Sequence, residues 1–269
     1  MPRTWWKTPV ALLMTAVMLF PLYWMLNVSL TRRDSIRRGD LLPFDFTLDH
    51  YRAAFGDQLP YLGTSLLIGI GTAALTLAIA APASFALAKL SVPGRGVLGF
   101  ALIVAQMIPA VVMALGFYSI YNAVGLLDTI PGLILADSTI AVPFAALLLT
   151  AFMAGLPREL LQAAQLDGAS QWRTFRSVVL PVSRNALITA ALFAFLWAWS
   201  DFIFASTLNR EGGALRPVTM GIYDYIGAQN QEWGPMTATA VIASVPAAVL
   251  LVAAQRYIAA GVTAGAVKD

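Results

Sequence analysis

Long apolar runs separated by short polar segments dominate the chain. Six stand out: Val10 to Leu30, Tyr61 to Ala88, Val97 to Asn122, Gly132 to Ala154, Asn185 to Leu208 and Met236 to Ala259. Each is near the roughly 20 residues that a helix needs to cross a ~30 Å hydrocarbon core. Runs such as SLLIGIGTAALTLAIAAPASFALA do not alternate as the ~10-residue strands of a membrane barrel do, so the pattern predicts helices. The expected fold is an all-α integral membrane protein with six transmembrane helices. Residues 1–60 are expected to form a first helix and outer loop, residues 61–260 a transmembrane core, and residues 261–269 a cytoplasmic tail.

Composition supports this reading: 59% of the 269 residues are hydrophobic and 12% charged, with a mean hydropathy of +0.73. With no cysteine, the chain has neither a disulfide framework nor a thiolate metal site. His50 is the single histidine and falls in a loop, which excludes an intramembrane Ser–His pair and an H-E-x-x-H zinc site. The net charge of +3 comes from residues flanking the apolar runs, not from a basic block, so nucleic acid is not an expected partner. Arg3 and Lys7 precede an apolar stretch, as in a secretory signal. That stretch is longer than a usual signal core and is followed by NVSLTRRDSIRR, so it is expected to remain as the first span.

With the amino terminus inside, Arg3, Lys7, Lys89, Arg95, Arg158, Arg173, Arg176, Arg184, Arg256 and Lys268 lie on the cytoplasmic side, ten of the seventeen basic residues. Five of the remaining seven, Arg32, Arg33, Arg37, Arg38 and Arg52, crowd the first outer loop and oppose that orientation. Without that loop only Arg210 and Arg216 lie outside, which favours cytoplasmic termini.

The segment from Gly155 to Arg184 is then the longest and most basic cytoplasmic connection, and it contains QAAQLDGASQWRTFRSVVLP. Pro157 suits a first helical position and Glu159 the positive end of a helix dipole, predicting a helix from Arg158 to about Asp167. Gly168 is free to take φ > 0 and stops it. Ser170 caps a second helix in which Trp172, Phe175 and Val179 recur at helical spacing until Pro181. Ala163 and Ala164 allow close approach by another backbone, while Gln162, Asp167, Arg173 and Arg176 offer polar contacts. The spacing suits either a docking elbow or an amphipathic loop lying on lipid headgroups.

Gln162-Ala163-Ala164, three residues, Gly168, nine residues, then Val178-Val179-Leu180-Pro181 resembles the EAA loop of ABC importer permeases, E-A-A-x3-G-x9-I-x-L-P. The spacing matches in full, with Gln162 in place of the usual glutamate and Val178 in place of isoleucine. DTIPGLIL (Asp128 to Leu135), FLWAWSDFIFA (Phe195 to Ala205) and the tail QRYIAAGVTAGAVKD (Gln255 to Asp269) are similar to the smaller six-helix permease of maltose-type sugar importers. The resemblance implies a prokaryotic plasma (inner) membrane subunit of ABC type I importer fold. Its implied partners are a second permease, two cytoplasmic ATPase subunits and an external sugar-binding protein or lipoprotein. Glu159, Gln162, Ala163, Ala164, Asp167, Gly168, Ala169, Leu180 and Pro181 would form the ATPase coupling elbow, with Glu159 partly compensating for the charge absent at Gln162. ATP and magnesium would be bound by the ATPase, since no lysine here lies in a G-x-x-x-x-G-K-[ST] loop, and this chain would be no enzyme. By the same resemblance the tail would reach down between the ATPases; a loose chain end is the alternative.

Asp201, beside Trp197, Trp199 and Ser200 in the fifth run, is a candidate for the sugar pathway, as is Gln106 before Pro109. Aromatics beside hydrogen-bonding groups suit a sugar; equally, Asp201 suits a helix cap and the aromatics a membrane-interface belt. Gly63, Gly69 and Gly71 suggest close helix packing. Pro21, Pro82, Pro109, Pro143 and Pro246 suggest kinks. An ABC permease for another solute and an ion-coupled secondary transporter stay open as alternatives, although neither repeats nor a chain of intramembrane carboxylates is evident.

Overall fold

The computed structural model describes residues 6–211, 213–226 and 232–266. Arg3, Lys268 and Asp269, which figure in the sequence reading, lie outside them. Among the described residues all regular structure is helical apart from one isolated bridge between Thr31 and Phe46. The long helices are α1 (Lys7–Leu30), α3 (Asp49–Lys89), α6 (Ile130–Ala154) and α13 (Trp233–Ala266), with the short α2 (Arg33–Ile36) between the first two. Each of the four long helices contains a stretch long and apolar enough to cross a membrane. Two further crossings arise if each of two bent pairs counts as one span.

The first bent pair is α4 (Arg95–Gln106) and α5 (Ala110–Val124), which meet at 94°. The sequence pattern suggests one span there, kinked at Pro109; the structure has a full break instead. Pro109 imposes the break, because proline lacks the N–H for the helical ladder and disfavours helical geometry in the residue before it. Pro109 itself is extended, with ψ 132°, and serves as the N-cap of α5. Pro21, Pro143 and Pro246, by contrast, stay inside continuous helices.

The second bent pair joins the segment Gln171–Val182 to α10 (Arg184–Ser200) at 80°. This segment comprises α8 (Gln171–Thr174), a π-helical turn (Phe175–Val179) and α9 (Leu180–Val182). Pro181 was expected to end this helix. The chain instead widens into the π turn just before it, the usual relief for a backbone bond that a proline cannot make, and turns only at Ser183. The fifth apolar run is also broken: α10 ends at Ser200, Asp201 is extended, and α11 (Ile203–Leu208) follows.

The chain divides into two compact units, Met1–Leu62 with Gly221–Val245 and Gly63–Met220 with Pro246–Asp269. The second unit packs α3, α6 and α10 through small side chains, Ala80, Ala81, Ala145, Ala146, Ala186 and Ala190, all buried. Apolar helices gain little from burying each other in lipid, so close backbone approach supplies the attraction. Gly69 and Gly71 carry this out: an added Cβ at Gly69 would lie 2.7 Å from the Phe195 ring, and one at Gly71 would collide with Ile134. Gly63, expected on the same packing face, has open space instead.

In the first unit the polar residues after α1 form a network. Ser29 Oγ and Tyr51 OH lie 2.8 Å apart, Thr31 Oγ1 donates to the Asn27 carbonyl at 2.7 Å, and the buried His50 ring is 3.0 Å from the Thr31 carbonyl. The difference between the glycines is testable by thermal unfolding in detergent. Gly71→Val should destabilise by about 1–3 kcal/mol through overpacking, and Gly63→Val by far less; equal losses would remove the close-approach account.

Candidate functional site

The elbow forms as the local signals specify. Helix α7 (Arg158–Leu166) ends in a Schellman motif: the Gly168 N–H donates to Gln165 O at 3.0 Å and the Ala169 N–H to Ala164 O at 2.9 Å. Gly168 makes this possible with φ +74°, a left-handed conformation that costs most residues about 1–2 kcal/mol. Ser170 Oγ then accepts from the Arg173 N–H at 3.3 Å and caps α8.

The two arms differ in burial. Phe175 and Val179 on the second arm sink into the packed interior with Ala145, Leu149 and Met153 of α6 and Ala186 and Ala190 of α10. The Phe175 ring lies 5.3 Å from that of Phe85 on α3. Trp172, expected on the same buried stripe, is 65% exposed, although its ring contacts Phe175. On the first arm only Ala164 is buried. Glu159, Gln162, Ala163 and Asp167 face outward, and Leu166 beside them is 89% exposed. The paired alanines therefore split: Ala164 packs inward and Ala163 is presented outward.

Two contributors to this site had no clear signal in the sequence. Lys89, the last residue of α3, donates from Nζ to the carbonyls of Leu156 (2.6 Å) and Ala154 (3.3 Å). It thereby satisfies the open C-terminal end of α6 just before the elbow and places a cation at the negative end of the helix dipole. Leu166 is the other: an apolar residue in a short polar helix reads as core from sequence, and only the packing shows it projecting. On the opposite flank, Leu180, Pro181, Arg184, Leu187, Ile188, Ala191 and Leu77 line an apolar groove of ≈ 280 Å³. Arg184 also donates to Tyr257 OH of α13 at 3.4 Å, tying the start of α10 to the helix that leads into the tail.

The proposed substrate-pathway residues do not form one cluster. Gln106 is exposed at the end of α4, and Trp197 is partly exposed on α10. Ser200 Oγ donates back to the Leu196 carbonyl at 2.8 Å. Trp199 is buried and stacked on Phe195 at 5.5 Å. Asp201 is engaged as a cap: its carboxylate accepts from the backbone N–H groups of Ile203 (3.1 Å), Phe204 (3.2 Å) and Ala205 (2.9 Å) at the start of α11.

Asp137, which the sequence reading passed over, is the more deeply buried acid. It lies in the middle of α6 at 1% exposure, its Oδ1 has no hydrogen-bond partner among the described residues, and it is within electrostatic range of Asp201 and Tyr121. A lone acid inside an apolar run was its signal.

The DTIPGLIL segment is a joint. Thr129 caps α6 by accepting from the Gly132 N–H at 3.1 Å, the Asp128 N–H donates to the Leu208 carbonyl at 2.9 Å, and the Asp128 carboxylate accepts from the Glu211 N–H at 2.8 Å. It fastens the beginning of α6 to the end of α11.

Residues 78–264 match the model of the binding-protein-dependent transport system inner membrane component. The chain belongs to that family. It is a multi-pass membrane protein and a permease component of a transporter, not an enzyme. It is 34% identical to the trehalose transport system permease protein of Mycobacterium tuberculosis (strain CDC 1551 / Oshkosh), over 98% of this chain and 97% of that one. It is 30% identical to the diacetylchitobiose uptake system permease protein of Streptomyces coelicolor (strain ATCC BAA-471 / A3(2) / M145), over 98% and 96%. Among solved structures it resembles a chain of a bacterial ABC transporter involved in the import of the acidic polysaccharide alginate. That match has a TM-score of 0.80 at 18% identity and covers 93% of this chain and 94% of that one, a likeness of fold.

Asp201 offers a test that separates a cap from a ligand contact. Asp201→Ala should lower thermal stability by about 1 kcal/mol through loss of the cap, and Asp201→Asn, which keeps an acceptor, should recover most of it. Equal stability of wild type and Asp201→Ala would contradict the capping role.

Proposed function

We propose that this chain is one of two permease subunits of an ATP-driven sugar importer, with α7 as the part that a cytoplasmic ATPase subunit grips. The observation that carries the reading is the elbow itself: Glu159, Gln162, Ala163, Leu166 and Asp167 face outward on a short helix whose base is locked by Gly168 and rooted through Phe175 and Val179. Leu166, 89% exposed, is a large apolar side chain left for a partner to cover, and Ala163 beside it leaves room for close approach. The sugar assignment is supported by the relatives named for trehalose transport and diacetylchitobiose uptake. Family membership sets the ion-coupled secondary transporter aside.

In this mechanism ATP and Mg²⁺ are held by the partner, and their binding stabilises one of two packings of the permease. What this chain contributes is transmission. A displacement of α7 passes through the capped turn into the helical segment from Gln171 to Val182, and from there across Ser183 to α10. Lys89 keeps the end of α6 fixed to α3, so that the elbow moves against a stationary base. A second permease completes the pathway, an external binding protein delivers the sugar, and both termini lie on the cytoplasmic side with the elbow.

Proline at position 168 is incompatible with φ +74°. Gly168→Pro should leave the protein in the membrane but abolish uptake and remove stimulation of ATP hydrolysis by the loaded binding protein. Normal uptake in that variant would count decisively against coupling through this turn. Gln162→Glu should preserve or tighten ATPase association in co-purification; a clear loss would mean that the outward face of α7 is not the contact.

A further inference from the structure

The Arg-rich loop after α1 does not stand away from the helix. It is closed at its base by two backbone bonds, Thr47 N–H to Leu30 O and Arg32 N–H to Asp45 O, each 2.9 Å. From there the chain folds back along α1. Asn27 Nδ2 donates to the Asp40 carbonyl at 2.7 Å, and Tyr23 OH donates to the Leu41 carbonyl. Asn27 and Tyr23 precede Leu30 by three and seven residues, so the loop returns alongside the last two turns of α1. There it presents Leu41, 64% exposed, Leu42, also exposed, and Phe44, 76% exposed; Phe46, exposed too, lies back at the base, bridged to Thr31.

We propose that this tip is a wedge that inserts into the bilayer leaflet at the Leu30 end of α1, with Arg32 and Arg37 binding lipid phosphates above it. Three observations carry the assignment. The apolar window of α1 has no buried residue, so the helix below the buried Asn27, Val28 and Ser29 presents an apolar surface uncovered within this chain, with which the wedge is continuous. Tyr23 and Trp24 lie together at the depth of the tip, where aromatic rings mark the headgroup boundary.

The third observation concerns backbone polarity. Irregular backbone cannot enter the boundary with unpaired carbonyls, and the Asp40 and Leu41 carbonyls each receive a side-chain donor from α1. A loop made for water would need neither those donors nor a run of exposed large apolar residues.

The charges are complementary to lipid. Arg33 lies 3.7 Å from Glu232, and Arg38 lies 3.4 Å from Asp45. Among the described residues Arg32 and Arg37 make no ion pair, and both are exposed close to the wedge. Asp34 and Asp40 lower the local positive field without occupying either arginine. The excess of arginine at this end of α1, which conflicts with a simple count of charges, is thereby explained as phosphate binding rather than as an orientation signal.

Because the chain has no cysteine, one introduced thiol is a unique probe. The full-length Phe44→Cys variant, labelled with an environment-sensitive fluorophore, is reconstituted in vesicles of phosphatidylethanolamine and phosphatidylglycerol, with Arg52→Cys as the water-exposed control. The label at position 44 should emit to the blue of the control, be quenched by nitroxide placed high on the lipid acyl chain, and resist aqueous iodide. Iodide quenching equal to the control would overturn the proposal, as would shielding from both quenchers. Replacing phosphatidylglycerol by phosphatidylcholine should reduce the blue shift in this variant and leave it unchanged when Arg32→Gln and Arg37→Gln are added. A persisting lipid dependence there would remove the arginines from the site. In the assembled transporter, loss of lipid quenching at position 44 would identify a protein contact and refute the wedge.

Discussion

The packing of Phe175 and Val179 against α3, α6 and α10 is the contact on which the rest of this protein depends. These two side chains root a short polar helix in an interior where buried alanines of α3, α6 and α10 pack with Phe85, Leu149 and Met153. Such an interior holds together because small residues let helices approach closely, where dispersion and weak polar contacts replace the hydrophobic drive that lipid removes. Without that root α7 would be a loose amphipathic segment, for which the headgroup surface is the natural resting place. With it, the exposed face of α7 keeps a fixed orientation.

Every break in the helical backbone is compensated, and each by a different device. Pro109 ends one helix and begins the next, so the bend falls where an N–H is absent anyway. The π turn at Phe175–Val179 accommodates Pro181 one turn ahead of a sharper bend at Ser183. Asp201 supplies three acceptor contacts to the amides opened at the start of α11. Gly168 closes α7 through carbonyls that would otherwise be unpaired. In a medium without water an uncompensated break is costly, which is why each of these joints has a partner for its open backbone groups. Asp137, by contrast, is a buried acid within a continuous helix, and the buried Thr72, Thr76 and Thr239 likewise lie within continuous helices.

The loop after α1 obeys the same rule at the other end of that helix. Its carbonyls are matched by Tyr23 and Asn27, and its arginines stand among residues that would be poorly placed in water. Charge counting treats all arginines in a segment alike, whereas in the fold Arg38 and Arg33 approach Asp45 and Glu232 while Arg32 and Arg37 make no ion pair among the described residues.

The sequence by itself determined the helical class, the elbow and its turn. Each of these depends on residues within a few positions of one another: Gly168 on its own φ, Ser170 on the amide three residues later, and an apolar run on its own length. Tertiary structure decided which residues of those elements meet something else. It placed Lys89 on the carbonyls of α6, turned Ala164 inward and Leu166 outward, left Trp172 exposed, and gave close neighbours to Gly69 and Gly71 but not to Gly63. It also committed Asp201 to the amides of α11. Burial and pairing are properties of two segments at once, and hydrophobic periodicity along one helix cannot specify which neighbour will cover it.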